Sequence, residues 1–272
     1  MELDSDLYQK CRVCLGDTRL FDVSTILQFD AQYVICNHCE SVQVDDPYWL
    51  ADAHSNAISG LDVGLVSRTT VASRLIISFF RLQKIRQVNG IDWGGGTGLL
   101  TRMLRDSGLD VYSYDKYANQ ELANIFVVNE TSLKSKMTFV SAIECFEHLT
   151  NPIFDLGDAS DEKDFLILTT ETLPDPAPLP SSKSWWYFMP ETGQHVTFAS
   201  SEGIKRFGSN LGFEFYLRVG DMHFFARKKL KLLTKLVLRL AVLRAVTLLI
   251  IPEICRRKYS LIVKDKTSIN LN

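Results

Sequence analysis

Strong net charge is missing from this sequence. Its 30 basic and 32 acidic residues leave a formal −2, a balance that argues against general nucleic-acid binding. The opening MELDSDLYQK is acidic and holds no apolar stretch of the kind a secretory signal carries, so the expected location is the cytoplasm. No internal repeat is visible. No apolar run reaches the roughly 20 uninterrupted residues of a spanning helix. Core-forming residues are plentiful: 46% of 272 residues are hydrophobic, which is enough for one large α/β domain with appendages. The charge is also uneven. Between Arg227 and Lys258 ten basic residues face one acid, Glu253, a net +9 that leaves −11 for the rest of the chain.

Four of the six cysteines fall as Cys11-x-x-Cys14 and Cys36-x-x-Cys39, with 21 residues between the pairs. In a reducing compartment this double spacing points to a tetrahedral thiolate site holding one zinc ion. Four sulfurs close the coordination shell, so such an ion is structural. Two alternatives stay open: four separate thiols, or His38 replacing one cysteine. Cys145 and Cys255 have no partner in the pattern and read as packing residues.

The chain divides into a zinc-binding knuckle (1–47), a helical linker (48–86), a cofactor-binding domain (87–228) and a basic amphipathic C-terminal segment (229–272). Val71, Leu75, Ile76, Phe79, Phe80 and Leu82 recur at helical spacing and predict one buried face. Short apolar runs then alternate with helical patterns: QVNGIDW, GLLTRMLRDSG, DVYSYD, MTFVSAIECFEHL, DFLILTTE, SEGIKRFGSNLG, FEFYLRVG and MHFFARKK. Interleaved strands and helices mean a mostly parallel sheet. The last two strands are separated only by Gly220 and Asp221, so that edge is an antiparallel hairpin.

In GIDWGGGTG, glycines at a strand-to-helix turn let the main chain approach a ligand, and the helix start offers amide donors. Asp115 ends the next strand, 23 residues after Asp92, where a carboxylate accepts from ribose hydroxyls. A nucleoside-bearing cofactor is implied. Gly94, Gly96 and Gly98 are spaced G-x-G-x-G, and Leu99 stands where a dinucleotide site wants glycine.

Taken together, IDWGGGTG, Asp115 and FVSAIECFEHLTNP resemble the motifs of class I S-adenosylmethionine-dependent methyltransferases over roughly Gln87 to Arg227. The resemblance implies a Rossmann-like seven-stranded sheet with a reversed last strand. It also implies S-adenosylmethionine held by Asp92, Gly94, Gly96, Gly98 and Asp115. Asn129 and Glu130 are candidates for the adenine. With the cysteine knuckle ahead and WWYFMPETGQHVTFASSEGIKRFGSNLGF behind, the layout resembles bacterial surface-polysaccharide methyltransferases. It is also similar to zinc-containing sugar C-methyltransferases.

Glu144, Glu147 and His148 follow the strand of MTFVSAI, and His195 lies beyond the next strand. Two carboxylates and two imidazoles suit an octahedral Mg²⁺ or Mn²⁺ site. The set resembles the E-x-x-E-H site of the small-RNA 2′-O-methyltransferases. Two other readings stand beside it: His195 alone as general base, or a purely structural loop. Trp185, Trp186 and Tyr187 read either as a sugar-stacking surface or as core.

Lys231, Lys235 and Arg239 form a cationic stripe on an apolar helix. Peripheral contact with an anionic membrane, contact with a second copy, and packing on the chain's own sheet are all compatible with it. The expected activity is O-methylation of a sugar hydroxyl in a surface glycan or its precursor. C-methylation of a nucleotide-linked sugar is the alternative within enzymes. A nucleotide-cofactor oxidoreductase or a non-catalytic binding module are the alternatives outside the methyltransferases.

Overall fold

The computed structural model describes residues 8–53, 64–175, 179 and 181–241. The expectations for Cys255, and for the basic segment beyond residue 241, lie outside them. In chain order the elements are β1 (Thr18–Ile26), β2 (Phe29–Cys36), β3 (Val42–Val44), α1 (Leu50–Ala53), α2 (Leu65–Gln83), β4 (Asn89–Trp93), α3 (Leu99–Asp106), β5 (Asp110–Tyr114), α4 (Glu130–Leu133), β6 (Phe139–Ala142), α5 (Pro152–Ser160) and β7 (Phe165–Thr169). They continue with β8 (Thr197–Phe198), α6 (Ser201–Asn210), β9 (Phe215–Val219), β10 (Met222–Ala226) and α7 (Leu232–Ala241). The chain forms two units, each assembled from separate stretches of sequence.

The first unit draws on Met1–Ala57, Glu144–Gly157 and Thr169–Phe213. The residues between the cysteine pairs form an antiparallel hairpin, β1 on β2, paired from Thr18↔Cys36 to Ile26↔Phe29 with an irregularity between Leu20 and Asp22. Leu27 takes the turn at φ 55°. β3 adds to β2, and β8, more than 150 residues later in the sequence, adds antiparallel to β3 with Val42↔Phe198 in register. The core beneath this four-stranded sheet is aromatic. Tyr33, Trp49, Tyr187, Phe188 and Phe198 are all buried, and the Phe188 and Phe198 centroids are 4.5 Å apart. Full burial of each such ring stabilises by about 1.5–3 kcal/mol.

The second unit comprises Ile58–Ile143, Asp158–Leu168 and Glu214–Asn272. Its sheet has the order β5-β4-β6-β7-β10-β9. β5, β4, β6 and β7 run parallel, and β10 pairs antiparallel with β9 around Gly220 and Asp221, as the sequence predicts. Every residue of β6 and β7 is buried, the pattern of strands covered on both faces.

The sheet has six strands among the described residues, against the seven expected. A seventh beside β5 is reduced to one parallel bridge, Ser113 to Val127. The chain is diverted there, because Asn129 Oδ1 accepts the Ser132 N–H at 3.1 Å and so caps α4 two residues after the bridge.

α2 buries Leu75, Ile76, Phe79 and Phe80, while Val71 stays 41% exposed. Phe79 stacks on Phe224 at 4.8 Å, and Phe80 meets Phe139 at 4.9 Å. α7 packs on α2 and β9 with Leu238 fully buried, and Leu232, Leu233 and Leu236 remain exposed. No described helix is long and apolar enough to cross a membrane.

Candidate active site

β4 feeds into a turn at which Gly94, Gly96 and Gly98 adopt φ of 67°, 56° and 84°, values that cost a side-chain-bearing residue about 1–2 kcal/mol. The glycines serve different ends. A Cβ on Gly98 would lie 2.4 Å from the Cβ of Ala123, and one on Gly95 would lie 2.3 Å from Ser113 Oγ. Those two are bare so that neighbouring chain can close in. A Cβ on Gly96 would meet nothing within 4 Å, so this position opens a cradle.

Asp92 is 1% exposed. Ser141 Oγ donates to its Oδ1 at 3.0 Å and Thr101 Oγ1 to its Oδ2 at 3.2 Å, which ties β4 to β6 and α3. Burial pushes its carboxyl up to about 7. Asp115 Oδ2 accepts the Gly96 N–H at 2.8 Å, and its Oδ1 accepts from the amides of Tyr117 and Ala118 at 2.8 and 2.7 Å. The acid at the tip of β5 therefore fixes the bare turn. α3 starts directly after Gly98 with no side-chain cap, which leaves donors at its first turn. This set fits a nucleoside-bearing cofactor. Of the two adenine candidates, Asn129 is engaged as the α4 cap and Glu130 accepts from the Tyr114 hydroxyl at 3.0 Å.

The four cysteines converge. Their ligand atoms lie within 4.8 Å of one another, with Cys14 and Cys36 sulfurs 3.4 Å apart and Cys11 and Cys39 sulfurs 3.7 Å apart. Tetrahedral zinc with bonds of about 2.3 Å spaces its sulfurs by roughly 3.8 Å. The two halves share one backbone frame. Cys11 N–H donates to Gly16 O and Leu15 N–H to Cys11 O; Cys36 N–H donates to Ser41 O and Glu40 N–H to Cys36 O. Leu15 and Glu40 occupy the same left-handed position, at φ 65° and 59°. His38 is exposed and outside the cluster. Arg12, inside the first pair, is buried. Its Nη1 donates to Val196 O at 2.9 Å and its Nη2 to Asp45 O at 3.1 Å.

A second cluster in the same unit joins Glu147, His148 and His195, whose ligand atoms also lie within 4.8 Å of one another. Glu147 and His148 belong to a 3₁₀ turn, Phe146–His148, shortly after β6. The Val196 N–H donates to Glu147 O at 2.7 Å and brings the chain bearing His195 alongside. Glu147 is 1% exposed. Its Oε1 accepts from the Tyr187 hydroxyl at 2.7 Å, and its buried Oε2 has no hydrogen-bond partner.

His195 Nδ1–H donates to Tyr187 O at 2.8 Å and His148 Nδ1–H to Gln194 O at 3.0 Å. In the neutral form each ring therefore carries its lone pair on Nε2. Burial lowers the His195 pKa to about 4 and raises that of Tyr187 well above the phenolic range.

Glu144 stands outside this cluster. At φ 55° it donates its N–H to Thr169 Oγ1 at 2.7 Å, and Thr169 returns a bond to its Oε1 at 2.8 Å. The expected four-residue set becomes one carboxylate and two imidazoles. Trp185 packs against Tyr187 and Phe188, whereas Trp186 is 70% exposed with its ring 5.3 Å from that of Tyr187. Tyr187 is the hub that the sequence pattern does not reveal: it reads there as a stacking surface or as core, with nothing to mark its hydroxyl and its carbonyl as anchors.

A mostly parallel sheet with a bare strand-to-helix turn, and an acid at the adjoining strand's tip, defines a Rossmann-like enzyme built around a nucleoside-bearing cofactor. The chain belongs to the methyltransferase-domain family, whose family model matches residues 67–217, and it is an S-adenosylmethionine-dependent methyltransferase.

Among solved structures, a 1,6-didemethyltoxoflavin-N1-methyltransferase from Burkholderia thailandensis is 14% identical. The match covers 77% of this chain and 100% of that one, with a TM-score of 0.50. An O-methyltransferase family protein from the same organism is 15% identical over 60% of this chain and 57% of its own length, with a TM-score of 0.46. Magnesium protoporphyrin IX methyltransferase from Synechocystis is 14% identical over 66% and 97%, with a TM-score of 0.44. These likenesses are of fold. No curated protein matches the sequence.

Proposed function

We propose that the protein O-methylates a sugar hydroxyl of a cell-surface polysaccharide or its precursor, in the cytoplasm, and holds a structural zinc ion on Cys11, Cys14, Cys36 and Cys39. The observation that carries the reading is the cluster of Glu147, His148 and His195 around Tyr187. A hydroxyl attacks poorly until it gives up its proton, and this cluster assembles groups able to take one. Trp186 offers an exposed flat face beside it, suited to a sugar ring.

S-adenosylmethionine supplies a methyl group on a sulfonium, open to in-line displacement. The chain's own part is to cradle that donor at Gly96 and Asp115, to orient the acceptor oxygen, and to receive its proton. The N1-methyltransferase of like fold, which holds S-adenosylhomocysteine, supports the donor assignment. The exposed leucines of α7, with Lys235 among them, support peripheral contact with an anionic membrane, where lipid-linked glycans would be met. Vesicle flotation of the full chain tests that contact.

Incubating the purified protein with methyl-labelled donor and lysate glycans, followed by mass spectrometry, tests the main reading. The expected product is a sugar methyl ether. Label bound to carbon would replace it with C-methylation, and a glycan fraction free of label under donor-binding conditions would overturn it.

A further inference from the structure

We propose that Glu147, His148 and His195 form a second metal site, for a first-row divalent transition ion such as zinc, separate from the four-cysteine site. This deepens the reading above: with an ion bound, the cluster would ease deprotonation of the acceptor hydroxyl as a Lewis acid in place of taking the proton itself, and the binding of the ion does not depend on the acceptor.

The donor set comes first. Two imidazoles and one carboxylate suit zinc, iron, cobalt or manganese, whereas magnesium and calcium favour an all-oxygen shell. With Glu144 closed on Thr169, the oxygen-rich octahedral Mg²⁺ set expected from sequence is no longer complete.

Orientation comes next. Histidines that bind metals through Nε2 characteristically donate Nδ1–H to a carbonyl or carboxylate, which fixes the ring and its tautomer. Both rings do this here, through Tyr187 O and Gln194 O. The Tyr187 hydroxyl holds one oxygen of Glu147, as a partner of a ligating carboxylate does.

The third observation is independent of these. Glu147 is 1% exposed, and its Oε2 has no hydrogen-bond partner. A buried carboxylate oxygen left without a donor is costly, and a cation held by this cluster would supply the missing partner. The ligand atoms lie within 4.8 Å of one another. Tetrahedral bonds of about 2.1 Å call for roughly 3.4 Å, a closure within reach of small side-chain rotations. Three protein ligands leave at least one coordination position for an acceptor oxygen, whose hydroxyl the ion would acidify, its proton passing to solvent water because the lone pairs of the three ligands are then engaged.

The test is a metal count on the full chain, stripped with chelator and reloaded with Co²⁺. Two equivalents per chain are expected. One gives the intense sulfur-to-metal charge-transfer bands of the four-cysteine site, and the other only weaker visible bands. Glu147→Gln is expected to reduce the count to one and leave the thiolate bands unchanged. Tyr187→Phe should keep two equivalents and weaken the second by about tenfold.

If Glu147→Gln does not fold, by circular dichroism, His148→Asn gives the same reading. A wild-type count of one, with every band thiolate in character, overturns the proposal. Methyl transfer that persists in that protein would leave the sugar reading standing, and two bound ions with no labelled glycan would do the reverse.

Discussion

Gly96 and Gly98 share a left-handed backbone two residues apart, and they predict different failures. At Gly96 an added methyl meets no protein atom within 4 Å. Gly96→Ala should therefore cost only about 1–2 kcal/mol of stability while weakening S-adenosylmethionine binding at least tenfold by calorimetry. At Gly98 the same change runs into Ala123, so Gly98→Ala should cost roughly 3 kcal/mol in chemical unfolding.

Asp92 predicts a pH effect. Its carboxyl stands near 7 in the fold against an ordinary 3.8, so the folded state holds the proton that the unfolded state releases. That contribution is complete below about pH 4 and is lost as pH rises through about 7. Asp92→Asn should flatten the fall, as measured by urea unfolding across that range. The glycines and both acids were legible because their spacing is local. Tyr187, 40 residues from Glu147, and Arg12, 184 from Val196, were not, since only the tertiary fold brings each pair together.

Strands β6 and β7 were readable as continuous apolar runs, and the β9/β10 hairpin as two runs across Gly220. β1 was not, because its residues mix exposed and buried positions without a clean period of two. β8 is two residues long and exists because β3 offers it an edge. Sequence pattern also could not foresee that, among the described residues, the strand beside β5 shrinks to one bridge two residues before the Asn129 cap of α4.

Arg12 links elements in the same hidden way, running from the first knuckle to the carbonyl of Val196, the residue after His195. Arg12→Ala removes the charged donor from the buried Val196 O, which keeps the Val44 N–H, and from the part-buried Asp45 O. It should lower stability by about 2–3 kcal/mol and reduce methyl transfer, with urea melts and single-turnover assays as the measurements.

Across the whole molecule, chemistry-bearing residues are divided between two units. The bare glycine turn and Asp115, proposed to hold the donor, lie in the second unit; the cysteine site and the Glu147 cluster lie in the first. Removing metal by chelation is therefore expected to raise amide hydrogen exchange in β1, β2, β3 and β8 by an order of magnitude or more, with far smaller change in β4 to β7. Exchange mass spectrometry on the same sample reads both. The hairpin explains why so small a feature governs so much. The cysteine pairs flank the open end of one hairpin: the Thr18↔Cys36 pairing sets the chain leaving the first pair directly beside the second. Phe21 is the extra residue of the irregularity, since Leu20 faces Val34 and Asp22 faces the very next residue, Tyr33, while loss of a paired residue slips the register and turns side chains to the other face. Excising Phe21 would leave Thr18 opposite Cys36, whereas excising a paired residue such as Val23 would slip that end by one, and a zinc ion held there would be lost with every sulfur still in the chain.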